Sequence, residues 1–366
     1  MRWGRKCRVS LLACCIMAVP AGRAASFEEL SRQATAAREA DQIPQAIDLY
    51  RQALQLKADW SEGWFYLGTL YYDADRFADA QPAFEQFVKL VDKPAGWAFL
   101  GLCEFETGSY TLARDHLQRA LDGGVSPEIE QVVRFHEALL LTRLGLFDQA
   151  LHWYRTLVSS GINNPALIAG LGLNSLSRAT LPAETPPDQQ EFVAAVGHAA
   201  YVWMLGDDAK TQAAFHALVD AYPAYPGVHN LYATYLLIAH PEAAMPELRR
   251  ELEVNPQSVE ARAMLALLLV QAGQTAEAAA DAKKAAEEGP SSALAQYAYG
   301  SIVADSDPKE AAAHLEIAER LDPSNLEYHV ALAHVYSRLG RNEEARQERQ
   351  ISIRLASQGG SRSKPE

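Results

Sequence analysis

Past residue 15 the chain has a single cysteine, Cys103, because Cys7, Cys14 and Cys15 crowd its beginning. A chain trimmed of that beginning cannot close an internal disulfide, so a disulfide-stapled scaffold is excluded even for an oxidising destination. Cys103 lies in an apolar helical stretch and reads as a small buried hydrophobe. Long apolar runs are also missing. The longest near the start, Val9 to Val19, has eleven residues, well short of the ~20 that a membrane-spanning helix needs. Positive charge is scarce, with 33 Lys and Arg against 46 Asp and Glu and a net charge of -13. An acidic surface repels phosphate backbones, which argues against nucleic acid as a partner. Catalytic signatures are absent too: there is no phosphate-binding G-x4-G-K loop, no G-x-S-x-G elbow and no H-E-x-x-H pair. His136-Glu137 begins the last of these, but Leu140 stands where the second histidine belongs. Gly170-Leu-Gly172 has letters of a dinucleotide fingerprint without the preceding strand that motif requires. The ten histidines occur singly, as solvated or packed side chains, and no metal or cofactor is expected.

The first 25 residues carry Arg2, Arg5, Lys6, Arg8 and Arg23 and no acid, so the remainder is more acidic than the whole. A basic start, a short apolar run, then Pro20 and the small residues Ala21 to Ala25 form the layout of a cleaved export signal. Cleavage after Ala24 puts Gly22 at the minus-three position, and a periplasmic or secreted location follows as the expectation. Leu11-Leu12-Ala13-Cys14 offers the weaker alternative of a lipid anchor at Cys14.

What the chain does have is a period. Trp64 and Trp97, and likewise Gly68 and Gly101, are 33 apart, while Pro223, Pro256, Pro290 and Pro323 follow one another at 33, 34 and 33. Ala278, Ala311 and Ala345 keep the same beat. A small residue in a first helix, such as Gly68, Gly101, Ala266 or Gly300, lets a second helix approach, and Ala80 or Ala278 supplies the matching flat spot. A proline then closes the second helix, since it cannot extend the hydrogen-bond ladder. Residues 61–92, with Trp64, Leu67, Gly68, Tyr71, Ala80 and Phe84, resemble the tetratricopeptide repeat most closely. Further copies begin near residues 27, 94, 131, 192, 225, 259, 292 and 326, with Thr211 and Arg349 as departures from the pattern.

The resemblance implies an all-α fold, a right-handed superhelical α-solenoid of antiparallel helix pairs with about nine repeats. Residues 165–180 read as a helix capping a first array over 26–180, because no second helix follows in phase. The proline-rich segment 181–187 is then a joint, 188–356 a second array and 357–366 a disordered tail.

In relatives of this kind, positions 2, 5, 9, 12 and 13 of each first helix line a concave groove for a protein or peptide partner. Here the resemblance assigns Glu62, Phe65, Thr69, Tyr72 and Asp73, then Leu102, Phe105 and Glu106, then Phe135, Leu139, Thr142 and Arg143. Phe65, Tyr72, Phe105 and Phe135 would form an aromatic track beside carboxylates; the competing reading packs these rings against neighbouring repeats. The Lys and Asn of a chaperone-type carboxylate clamp are missing, since Ser31 and Thr35, and then Phe65 and Thr69, occupy their positions. The expectation is an interaction scaffold without catalysis. The alternative is a structural subunit of a cell-envelope assembly.

Overall fold

A computed structural model describes residues 25–361, so the export signal expected over residues 1–25 lies, all but its last residue, outside the described part. The chain divides into two units, residues up to 133 and residues from 134. The first contains α1 (Phe27–Glu39), α2 (Ile43–Leu56), α3 (Ser61–Tyr72), α4 (Phe77–Leu90), α5 (Pro94–Glu106) and α6 (Tyr110–Gly123). Helix α7 (Pro127–Arg143) begins in the first unit and ends in the second. The second continues with α8 (Phe147–Ser159), α9 (Pro165–Ser175), α10 (Pro187–Met204), α11 (Asp208–Ala221), α12 (Val228–Ala239) and α13 (Ala244–Val254). It ends with α14 (Val259–Gln271), α15 (Thr275–Glu288), α16 (Ala293–Val303), α17 (Pro308–Leu321), α18 (Leu326–Arg338) and α19 (Asn342–Ser361). Among the described residues there is no strand, and no helix is long and apolar enough to cross a membrane.

Local chemistry sets the helix ends. Ser26, Asn164, Asp207, Ser258, Ser292, Asp307 and Asn325 each accept a backbone N–H of the first turn, filling a donor that the helix cannot satisfy itself. Pro223, Pro256, Pro290 and Pro323 follow α11, α13, α15 and α17 by two residues, each behind a residue that has left the helical region. Sequential helices pair antiparallel, and the small residues sit where the partner comes nearest. A Cβ on Gly68 would lie 2.8 Å from the Phe84 ring, and one on Gly300 would lie 2.8 Å from Leu315. Thr211 is accommodated in its buried place because its hydroxyl donates to the Asp207 carbonyl at 2.7 Å.

Three expectations about organisation are corrected. The segment expected as a joint lies inside the second unit, where Pro182–Glu184 is a single 3-10 turn. Its backbone is tied by Glu184, which accepts from Leu181 N at 2.9 Å and from the Thr180 hydroxyl at 2.8 Å. Pro187 occupies the first turn of α10, where its missing N–H costs nothing, so the prolines start a helix here. Second, α9 is not a lone cap. It crosses α10 so closely that a Cβ on Gly172 would sit 2.0 Å from the Val193 carbonyl oxygen, and one on Gly197 would sit 1.9 Å from that of Ile168. Third, α19 continues to Ser361, through residues expected to be disordered; residues 362–366 lie outside the described part.

Candidate functional site

The twelve residues assigned to a groove divide by burial. Leu102 and Leu139 are buried, and so is Thr142, which donates to the Ala138 carbonyl and lies 3.3 Å from the Tyr154 hydroxyl and 3.2 Å from Asn174 Oδ1. These three belong to the interior, because successive first helices lie side by side and cover what a single repeat would expose. Phe65 is half-buried among Phe84, Phe87 and Phe99, at centroid distances of 5.0 to 6.0 Å. Tyr72 stands edge-on to Phe77 and Phe99, and burial pushes its hydroxyl up to about 12. Both rings therefore pack against the neighbouring helices α4 and α5, the competing reading of the aromatic track. Phe105 is half-buried with Tyr110 at 6.0 Å, and Phe135 joins the core around Leu141 and Tyr154. Thr69 is half-buried and donates to the Tyr66 carbonyl. Arg143 pairs with Glu184 at 3.3 Å. Glu62, Asp73 and Glu106 are exposed; the water that protein atoms displace on the inner side of Glu106, then the charge of Asp75, raises its carboxyl. Cys103 is buried and its thiol is pushed up to about 12 by that burial, so it is held as an unreactive thiol.

An open hollow at the same register lies in the second unit. Two adjoining cavities of about 760 and 550 Å³ share Tyr297, Ser301 and Glu327. Helix α14 contributes Leu267, Val270 and Gln271, α16 contributes Tyr297 and Ser301, and α18 contributes Glu327, Val330 and His334. These are positions 9, 12 and 13, then 5 and 9, then 2, 5 and 9 of consecutive first helices. Val330 is 54% exposed and Val270 39%. No lysine or arginine lines either cavity, whereas Glu327 and Asp305 do.

Behind this face runs a row of buried polar residues that the sequence reading missed. His229, Arg262, Gln296 and His329 recur at 33, 34 and 33, at the position Trp64 holds in the first unit. All four are less than 9% exposed. Each bonds to a carbonyl in the linker just before its helix: Pro223 at 3.0 Å, Pro256, Gly289 at 3.4 Å and Pro323 at 3.0 Å. Each also reaches the second helix of its own pair, at Glu247, Asp281, His314 and Glu348 respectively. Trp64 performs the linker half of the task through its indole N–H, donated to the Ala58 carbonyl at 2.8 Å. The period itself could have revealed the row, but a search for an aromatic at this position passes over His, Arg and Gln.

Helix pairs stacked through small residues, with five of the linkers tied back by the first helix, define an α-helical repeat protein. Residues 65–124, 239–293 and 301–359 each match the tetratricopeptide repeat model, and the chain is a tetratricopeptide-repeat protein. It is similar to the crystal structure of yeast Tom70, at 12% identity over 90% of this chain and 85% of that one, with a TM-score of 0.38. It is also similar to the P58(IPK) tetratricopeptide domain (16% identity, 89% and 92% of the two chains, TM-score 0.30) and to MamA (18%, 54% and 94%, TM-score 0.38). No curated protein sequence matches it.

Proposed function

We propose that this protein is an exported, non-catalytic scaffold that holds a segment of a partner protein along the first-helix face of its second unit. The observation that supports this is the pair of adjoining cavities across α14, α16 and α18, with solvent-exposed valines at their margins. Exposed apolar groups grouped around a concave surface are the usual mark of an interaction site. Ile238, 75% exposed near the end of α12, extends the apolar character towards earlier repeats. Arg338 already pairs with Asp305, so Glu327 is the acid of the lining that a partner meets, and the fitting segment carries apolar anchors with a cationic neighbour. Export is supported by the leader, and the chain is expected to begin near Ala25 or Ser26 when sequenced from its native host; a start at a lipid-bearing Cys14 would replace the soluble scaffold with an anchored one.

The binding reading is tested by affinity capture with the full chain lacking its leader, comparing the parent with Tyr297→Ala and Val330→Glu. Whichever protein the parent captures should bind each variant more weakly by about 2 kcal/mol, as expected for anchor residues. Val330→Glu alters an exposed side chain, so its helicity should match the parent. Unchanged affinity in both variants would move the partner surface elsewhere.

A further inference from the structure

His329 is 1% exposed, yet both of its ring nitrogens face acceptors: Nδ1 lies 2.6 Å from Glu348 Oε2 and Nε2 lies 3.0 Å from the Pro323 carbonyl oxygen. A carbonyl oxygen can only accept, so Nε2 must carry a proton. The contact between Nδ1 and Oε2 needs a second proton, held on either the ring or the carboxyl. Remove that proton and a lone pair faces a carboxylate at hydrogen-bond distance in a site with almost no water.

We propose that the His329–Glu348 pair is a proton-operated clamp, in which the proton between ring and carboxylate closes α19 onto α18 and its loss in alkaline solution loosens this last helix pair. The charged surroundings agree with the geometry. Burial works against a charged ring, but the hydrogen bonds to Glu348 and Pro323 and the negative charges of Glu348 on α19 and Glu319 on α17 outweigh it, holding His329 above the ordinary histidine range. On α18 and α19, Arg338 is engaged by Asp305, Arg341 by Glu316 at 3.0 Å and by Glu344, Arg346 by Glu343 at 3.6 Å, and Arg349 by the Ser337 hydroxyl. The related pair His229–Glu247 differs on this point, because Arg250 already bonds the second oxygen of Glu247 at 2.9 Å. Glu348 therefore depends on its histidine more than Glu247 does.

The direction follows from linkage. A histidine with a raised folded-state pKa contributes stability that is fully present below the unfolded value, about 6.5, and disappears as pH rises through the folded value. The clamp is thus closed in acid and neutral solution and opens on the alkaline side. Its opening does not depend on whether the cavities described above bind a partner.

The test uses the full chain without its leader, following histidine ring signals by NMR across pH, with His329 assigned by its disappearance in His329→Gln. His329 should titrate above about 6.5, and in Glu348→Gln, where only burial and the weaker acceptors remain, its midpoint should fall by about one unit or more. His329→Gln is a foldable control, because Gln296 makes the equivalent linker bond two helices earlier in the chain. Between about pH 6 and pH 9 the parent should lose several degrees of melting temperature that His329→Gln does not lose. A parent midpoint at or below the ordinary value, or parent and His329→Gln melting curves that shift identically with pH, would overturn the clamp.

Discussion

Gly197→Ala should destabilise the second unit by about 3 kcal/mol or more, at the top of the range for overpacking. The added methyl would arrive 1.9 Å from the Ile168 carbonyl oxygen and 2.8 Å from its carbonyl carbon. Both are backbone atoms of α9, so no rotamer change relieves the contact, and the helices must separate. Gly172→Ala meets the Val193 carbonyl oxygen at 2.0 Å from the other side and should behave alike. Gly68→Ala meets only the ring edge of Phe84, at 2.8 Å, and should cost less. Thermal unfolding followed by circular dichroism decides the matter. A loss below about 1 kcal/mol for Gly197→Ala would mean that α9 and α10 are not in backbone contact.

Phe84→Ala should cost the first unit about 3–5 kcal/mol, as expected for emptying a fully enclosed aromatic site. Phe84 is 0% exposed, stacks on Phe99 at 5.2 Å and 10°, and meets Phe65 edge-on at 6.0 Å. Denaturant unfolding followed by the fluorescence of Trp60, Trp64 and Trp97 reports on this unit. The result also bears on Phe65, which shares the cluster. A small loss would mean that these rings are loosely held and free to act as a binding surface.

The sequence carried the fold in its spacing, because stacking identical helix pairs forces the same small, large and helix-ending residues to recur. Its errors are instructive at three places. Leu181 to Pro187 looks like an interruption, since proline density usually marks a break; one proline position in every helix tolerates the residue, and Pro187 uses it. The crossing of α9 and α10 replaces the usual aromatic filling by glycine on both helices, so a search for large residues in phase finds nothing there. For the candidate site, register was legible and exposure was not. Whether position 9 or 12 faces solvent depends on the adjacent first helix, which is why Leu102, Leu139 and Thr142 are interior while Leu267, Val270 and Ser301 line open space.

The crossbars at His229, Arg262, Gln296 and His329 join the two helices of a repeat to the linker that ends the repeat before it, and Gln296 also donates to the Ala286 carbonyl of α15. Every crossbar thus needs a backbone carbonyl of the repeat before it, so cutting the chain just ahead of a first helix would strand its buried donor. Copying or excising one whole unit of 33 or 34 residues keeps such a carbonyl in place, because the linker that ends any copy supplies one whatever its side chains. Such a gene can lengthen or shorten by repeats without passing through a chain that holds a broken polar core, and the groove can change its reach in the same steps.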